Sequence, residues 1–234
     1  MIEVNGLIKE VGHHVVLGVD RLTIRTGEIV GVLGRNGSGK TTLLKAISGI
    51  GELADGTVTV DGKPVTRQYE SLAFISEEGS AFPRMTGYRY AEFLAAFYPR
   101  FDWHYWEWML TFFQVDGDQR IGSLSKGQRA KVELAAGLAK RTSHVVMDEP
   151  FLGMDKITRS SFLKDMAARL TGEETFLIAT HFLEDFENLF DRVLLLDGGR
   201  IRVDASVDDL RQQGKSLDVL LLEVTLGKHD RSSL

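Results

Sequence analysis

The 234-residue chain contains no cysteine, which excludes disulfide cross-links and thiolate metal sites and suits a reducing compartment. It has no apolar run near the roughly 18 residues that a membrane-spanning helix needs; even Val219 to Leu226 is short and is broken by Glu223. No membrane span is therefore expected. Met1-Ile2-Glu3-Val4-Asn5 enters an alternating pattern at once, with no basic segment leading into an apolar one, so no signal peptide is expected either. Basic residues are not in excess: 28 Lys and Arg face 33 Asp and Glu, for a net charge of -5. That balance argues against a general nucleic-acid binder while leaving room for a local basic patch. There is no internal repeat and no low-complexity linker. With 43% hydrophobic residues, the chain can bury a sizeable core as one large domain, or as one domain with a lobe inserted in it.

What the sequence does contain is a complete G-x-x-x-x-G-K-[ST] phosphate loop, Gly34-Arg35-Asn36-Gly37-Ser38-Gly39-Lys40-Thr41. It follows the apolar run Ile29 to Leu33 and precedes a helical stretch over Thr42 to Ser48, the context that makes nucleotide binding the leading hypothesis. The glycines let backbone N–H groups turn inward around phosphate, and the helix opening at Lys40 and Thr41 aims its positive end at the same anion. Lys40 would neutralise phosphate charge and the Thr41 hydroxyl would hold Mg2+. The nucleotide-binding candidates are thus Gly34, Asn36, Gly37, Ser38, Gly39, Lys40, Thr41 and the adjoining Thr42. Leu43, Leu44 and Ile47 supply a buried helix face, and Gly49 reads as its stop.

Around the loop, two short segments and Thr57 to Val60 alternate like half-buried antiparallel strands, which predicts a small β-lobe. Val145-Val146-Met147 and Thr175 to Ala179 are continuous apolar runs, fitting buried parallel strands that alternate with helices. Phe162, Met166 and Leu170 predict one helix between them, and Phe182, Phe186, Leu189 and Phe190 another after them. Val193 to Leu196, Asp197-Gly198-Gly199-Arg200 and Ile201 to Val203 predict a closing hairpin. From about Thr86 to Gly137 the pattern is helical and interrupts the α/β alternation. Tyr98-Pro99 ends one helix there, and Asp102 caps the next, which is crowded with Trp103, Tyr105, Trp106, Trp108, Phe112 and Phe113.

Two further segments carry chemistry. Asp148 and Glu149 stand at the C-terminal edge of a buried strand, where α/β proteins place ligands. Asp148 would reach Mg2+ through its water shell, and Glu149 would polarise an attacking water. Leu124-Ser125-Lys126-Gly127-Gln128 precedes a helix with Ala130, Leu134 and Leu138 on one face. Ser125 and Gln128 form a capping box, and such a helix N-terminus is also an anion site.

Taken in order, the phosphate loop, Leu-Ser-Lys-Gly-Gln, Asp148-Glu149-Pro150, Gly153-Met154-Asp155 and a strand ending in His181 resemble the ATP-binding subunit of ATP-binding cassette (ABC) transporters, over about residues 2 to 205. The resemblance implies the ABC ATPase fold: an α/β P-loop NTPase core with an antiparallel β-lobe and, within a single domain over 1–234, a helical lobe inserted at about 86–137. It implies a dimer, with an identical or a different second ATPase subunit, that sandwiches two ATP molecules between the phosphate loop of one chain and the signature of the other. Ser125, Gly127 and Gln128 belong to that signature, Ser125 and Gly127 meeting the γ-phosphate. Glu149 would be the general base, His181 a γ-phosphate switch, and Asp155 a link between the two sites. An integral-membrane permease, no nucleic acid, and a cytoplasmic position on the inner face of the cell membrane complete the implied setting. A soluble ABC ATPase acting on ribosomes or DNA is the alternative. The single phosphate loop and the lack of a heptad run disfavour it.

Three departures from the family pattern stand out. Glu77 and Glu78 follow Leu72 to Ser76 where a metal-lining glutamine is usual, and the spacing favours Glu77 as the Mg2+ ligand. The aromatic that stacks on adenine falls near Val11, which cannot stack; His13 and His14 are the alternatives. Lys126 stands inside the signature and adds positive charge near phosphate. Lys126, Glu77 in place of glutamine and the Phe97 to Asp102 segment look most like bacterial exporters with a separate six-helix permease. A minority of the Trp103 to Phe113 aromatics, with Phe82 and Tyr88, are expected to form the permease docking surface.

Overall fold

The computed structural model describes residues 1–76 and 82–226. In chain order the elements are β1 (Ile2–Val11), β2 (His14–Ile24), β3 (Ile29–Leu33), α1 (Lys40–Ile47), β4 (Asp55–Val60), β5 (Lys63–Pro64), β6 (Leu72–Ser76), α2 (Gly87–Ala95), α3 (Trp103–Phe113), α4 (Lys126–Ala139), β7 (His144–Asp148), α5 (Lys156–Arg169), β8 (Thr175–Ala179), α6 (Leu183–Phe186), β9 (Arg192–Asp197), β10 (Arg200–Ser206), α7 (Val207–Gln212) and α8 (Leu217–Leu226). They fall into two compact units, Met1–Gln68 with Thr175–Leu234, and Tyr69–Glu174.

The first unit holds both the expected β-lobe and a parallel core. In the lobe β2, β1, β4 and β5 are antiparallel neighbours in that order. Ile2, Val4, Leu22, Ile24, Val58 and Val60 face one another in register and are all buried, so side chains of period two share one covered face. The two lobe strands before the phosphate loop are long rather than short, at 10 and 11 residues. In the core β3 lies between β8 and β9, parallel to both. Every residue of β3 and β8 is buried, which accounts for their unbroken apolar runs. β9 and β10 form the expected hairpin through Gly198 and Gly199, both at positive φ (57° and 71°), as a two-residue turn with the strands' own twist requires. The helix expected from Phe182 to Phe190 is a single turn, α6; Phe186 and Phe190 nonetheless stack 5.3 Å apart.

The second unit pairs β6 and β7 in parallel and carries α2 to α5. Asp102 caps α3 by accepting from the Tyr105 N–H at 2.9 Å. α2 ends at Ala95, ahead of Tyr98-Pro99. Two expectations are corrected here. α4 is covered on every side from Val132 to Ala139 rather than along a single stripe, and Ala130 is only half-buried. In α5 the buried residues are Arg159, Phe162, Leu163 and Met166, while Leu170 lies just past the last turn as its C-cap. Among the described residues no helix is long and apolar enough to cross a membrane.

Candidate functional site

The phosphate loop belongs to the first unit and turns sharply between β3 and α1. Gly34, Gly37 and Gly39 have φ of 148°, 79° and 106°, the left-handed region that residues with a Cβ avoid. At Gly34 a Cβ would also collide with the Leu196 carbonyl oxygen and stand 2.5 Å from the Ser38 hydroxyl. Gly39 is the N-cap of α1 and offers no side-chain oxygen to its first turn. The opening N–H groups of the helix are therefore of the kind that an anion can satisfy. Lys40 Nζ curls back to donate to the Gly34 and Arg35 carbonyls, at 2.8 and 3.3 Å, which holds its charge over the loop. Ser38 is buried and, among the described residues, its Oγ has no hydrogen-bond partner, as is also true of Ser48 Oγ; a buried hydroxyl in that state is costly, and the one at Ser38 lies within the phosphate loop. Thr41 is exposed and Thr42 half-buried. The expected C-terminal stop is real: Gly49 adopts φ 71°, its N–H donates to Ala46 O, and the Ile50 N–H donates to Lys45 O, a Schellman motif.

His181 is in the same unit, directly after β8 and Thr180. It is exposed and its ring lies 3.9 Å from that of Phe182. Val11 is at the tip of the β1–β2 hairpin, opposite His14, and 65% exposed. His13 and His14 are exposed beside it.

Asp148, Glu149 and the Leu-Ser-Lys-Gly-Gln segment belong to the second unit. Asp148 ends β7 and is buried; Glu149 follows at φ 49°. The left-handed region is uncommon for a non-glycine residue; Asp61, Gln114 and Arg141 share it in this chain. Ser125 Oγ accepts from the Gln128 N–H at 3.2 Å, and Gln128 Oε1 accepts from the Ser125 N–H at 3.0 Å. The capping box therefore uses the hydroxyl's lone pair and leaves its proton available to donate. Gly127, in the first turn of α4, packs against Gly153: a Cβ on Gly127 would stand 3.0 Å from the Gly153 oxygen. Asp155 caps α5, accepting from the Thr158 N–H and hydroxyl at 2.9 and 2.7 Å, and these bonds hold its carboxyl below the ordinary value.

Glu77, and with it Glu78, lies outside the described residues. Of the aromatics, Tyr105, Trp106 and Phe113 are buried, Trp108, Phe112 and Tyr88 are half-buried, and Trp103 and Phe82 are exposed. Phe93 and Phe97 were not among the aromatics expected at the docking surface. Both are exposed, and with Phe82 they form a chain of ring contacts at 5.5 and 5.0 Å. Their i, i+4 spacing was the available signal. Gly199 also neighbours the phosphate loop, through its N–H to the Ser38 carbonyl, and no local signal marks that contact.

Among the described residues no three His, Asp or Glu side chains cluster as a metal cage. A hydrated Mg2+ on a nucleotide needs only one or two protein oxygens rather than such a cage.

Comparison with known proteins agrees with this geometry. Residues 17–152 match the family described as ABC transporter. The ABC transporter ATP-binding protein YtrB of Bacillus subtilis is 30% identical over 217 residues, which cover 91% of this chain and 74% of YtrB. A solved ATP-binding subunit of an ABC transporter superposes with a TM-score of 0.85 at 27% identity, covering 96% of this chain and 99% of that one. A dimeric ATP-binding cassette in a post-hydrolysis state with ADP and Pi shares the fold at a TM-score of 0.77 and 21% identity, over 88% of this chain and 99% of that one. The fold and site thus define an ATP-binding cassette of the P-loop α/β class. The chain belongs to the ABC transporter family and is an ABC-type ATPase.

Proposed function

We propose that the chain is the ATP-hydrolysing subunit that powers movement of a substrate across a membrane through a separate integral-membrane permease, pairing with a second cassette around ATP. The observation that carries this reading is the phosphate loop, whose α1 N-terminus has no side-chain cap and whose buried Ser38 hydroxyl has no partner among the described residues, an arrangement that suits a polyphosphate. Gly34, Asn36, Gly37, Ser38, Gly39, Lys40, Thr41 and Thr42 would hold the phosphates of one ATP. Ser125 and Gly127 would approach the γ-phosphate held by the second cassette, with Gln128 fixing the Ser125 rotamer through the capping box. Thr41 and Asp148, with Glu77, would hold Mg2+, which would offset phosphate charge. Glu149 would orient and deprotonate the attacking water. His181, exposed at the end of β8, would donate to the γ-phosphate. Two observations support a permease partner: the exposed Phe82, Phe93 and Phe97 rings, and a relative named as an ABC transporter ATP-binding protein. The protein would then sit on the inner face of the membrane.

The test is capture of a Glu149→Gln variant with ATP from detergent-solubilised membranes. The expected result is a multi-helix membrane protein in stoichiometric amount, lost when Phe82 and Phe93 are replaced by serine. Recovery of soluble partners alone overturns the reading.

A further inference from the structure

The tip of the β9–β10 hairpin touches the phosphate loop at several points. The Gly199 N–H donates to the Ser38 carbonyl at 3.0 Å. The Gly199 Cα stands 3.4 Å from where a Cβ of Gly39 would be, and Leu196, on the same hairpin, places its carbonyl against Gly34. The hairpin is itself pinned from behind. The Gly18 N–H of β2 donates to the Gly199 carbonyl at 2.8 Å, and a Cβ on Gly199 would collide with the Val16 carbonyl oxygen. Position 199 therefore requires glycine twice, for its φ of 71° and for the absence of a side chain. Ser38 carries a buried hydroxyl with no partner among the described residues, and Gly39 is the left-handed residue that opens α1.

We infer that Gly199 is a positioning residue for nucleotide binding: it wedges between β2 and the phosphate loop, fixing the Ser38 peptide and thereby the aim of the Ser38 hydroxyl and of the N–H groups that open α1. The inference rests on the reading of residues 34–42 as the phosphate site. Preorganised donors bind an anion without first being ordered, whereas a loop whose turn can relax bears that ordering on each binding event. The effect should therefore fall on the phosphates and be indifferent to the base.

The experiment compares Gly199→Ala with Gly62→Ala. Gly62 has the same kind of positive φ, 74°, but a Cβ there meets nothing within 4 Å, so it reports left-handed strain without the collision. Titration with ATP and with inorganic tripolyphosphate should show both ligands weakened at least about tenfold, by the same factor, in Gly199→Ala, and neither changed in Gly62→Ala. An unchanged affinity in Gly199→Ala, or an equal loss in Gly62→Ala, overturns the brace. Failure of the parent protein to bind either ligand overturns the phosphate-site reading instead, and the brace falls with it. Should Gly199→Ala not fold, hydrogen exchange on the unmodified protein decides. Saturating tripolyphosphate should slow exchange at the Gly199 and Gly18 amides together with residues 34–41, and no slowing at Gly199 overturns the inference.

Discussion

Gly127 and Gly153 meet backbone to backbone. A Cβ on Gly127 would stand 3.0 Å from the Gly153 carbonyl oxygen, and one on Gly153 would stand 3.5 Å from the Gly127 Cα. The first turn of α4 therefore rests on the turn that follows Glu149, within a single unit. A methyl group at 127 must push that turn aside. Gly127→Ala is expected to lower ATP hydrolysis about tenfold to a hundredfold, because small displacements at a reacting centre are costly. ATP affinity of the isolated subunit, measured by titration, should stay within about twofold, since the phosphate loop is untouched. Parent-like hydrolysis would show that the turn adapts freely.

Glu149 is held at φ 49°, so its side chain is aimed by a backbone that favours other residues. Glu149→Gln keeps the size and removes the base. It is expected to bind ATP but hydrolyse it at least about a hundredfold more slowly, since a positioned base contributes 10²–10⁴. ATP should also drive it to a dimer on size exclusion. Near-parental turnover removes Glu149 from the role of base.

At the β1–β2 hairpin tip Val11 presents an exposed aliphatic side chain, and an aliphatic cannot stack on a purine as an aromatic does. ATP and GTP affinities are expected to agree within about tenfold, or roughly 1.4 kcal/mol. Competition binding measures this directly. A larger preference for ATP would assign base reading to another side chain, and His13→Ala and His14→Ala would identify which.

The helical lobe divides its aromatics by burial, and substitutions should divide the same way. Trp106 is fully buried, so Trp106→Ala is expected to cost about 3–5 kcal/mol in chemical denaturation. Phe82 and Phe93 are exposed at 46% and 38% and touch each other edge to face. Phe82→Ser with Phe93→Ser should cost under about 1.5 kcal/mol while releasing the protein from membranes. Equal destabilisation by both sets would make the exposed rings part of the core.

Lys140 is buried, and desolvation lowers its pKa to about 8 from 10.5, against the opposing pull of Glu133. Its Nζ lies 4.6 Å over the Tyr98 ring, which offsets part of the cost of the charge. Between pH 10.5 and 8 the unfolded chain takes up this proton and the folded chain does not, so stability falls as pH falls through that window and levels off below it. Lys140→Met is expected to raise stability at pH 7 by roughly 1–3 kcal/mol. The gain should vanish above about pH 10.5, where the lysine is neutral in both states. Urea melts of both proteins across that range test the sign. Destabilisation by methionine at pH 7 would mean that the Tyr98 and Glu133 contacts outweigh desolvation.

Features set by neighbours along the chain could be read from the residue order. The strand, glycine loop and helix over Ile29–Ile47, the Ser125–Gln128 capping box, the Asp102 cap and the Gly198-Gly199 turn each depend on backbone dihedrals and hydrogen bonds only a few residues apart, so composition and spacing suffice. The family itself was legible for the same reason: its motifs are local, and their order along the chain is distinctive. Tertiary structure decided what depends on partners remote in sequence. Nothing local sets β3 between β8 and β9, brings Gly199 to Ser38, or seats Gly127 on Gly153. It also chose Leu163 over Leu170 as core in α5 and left Phe93 and Phe97 outside while burying Trp106. A periodic apolar stripe says that a face is covered, but only the packed neighbours determine how far the cover extends, and hence which rings remain for another molecule.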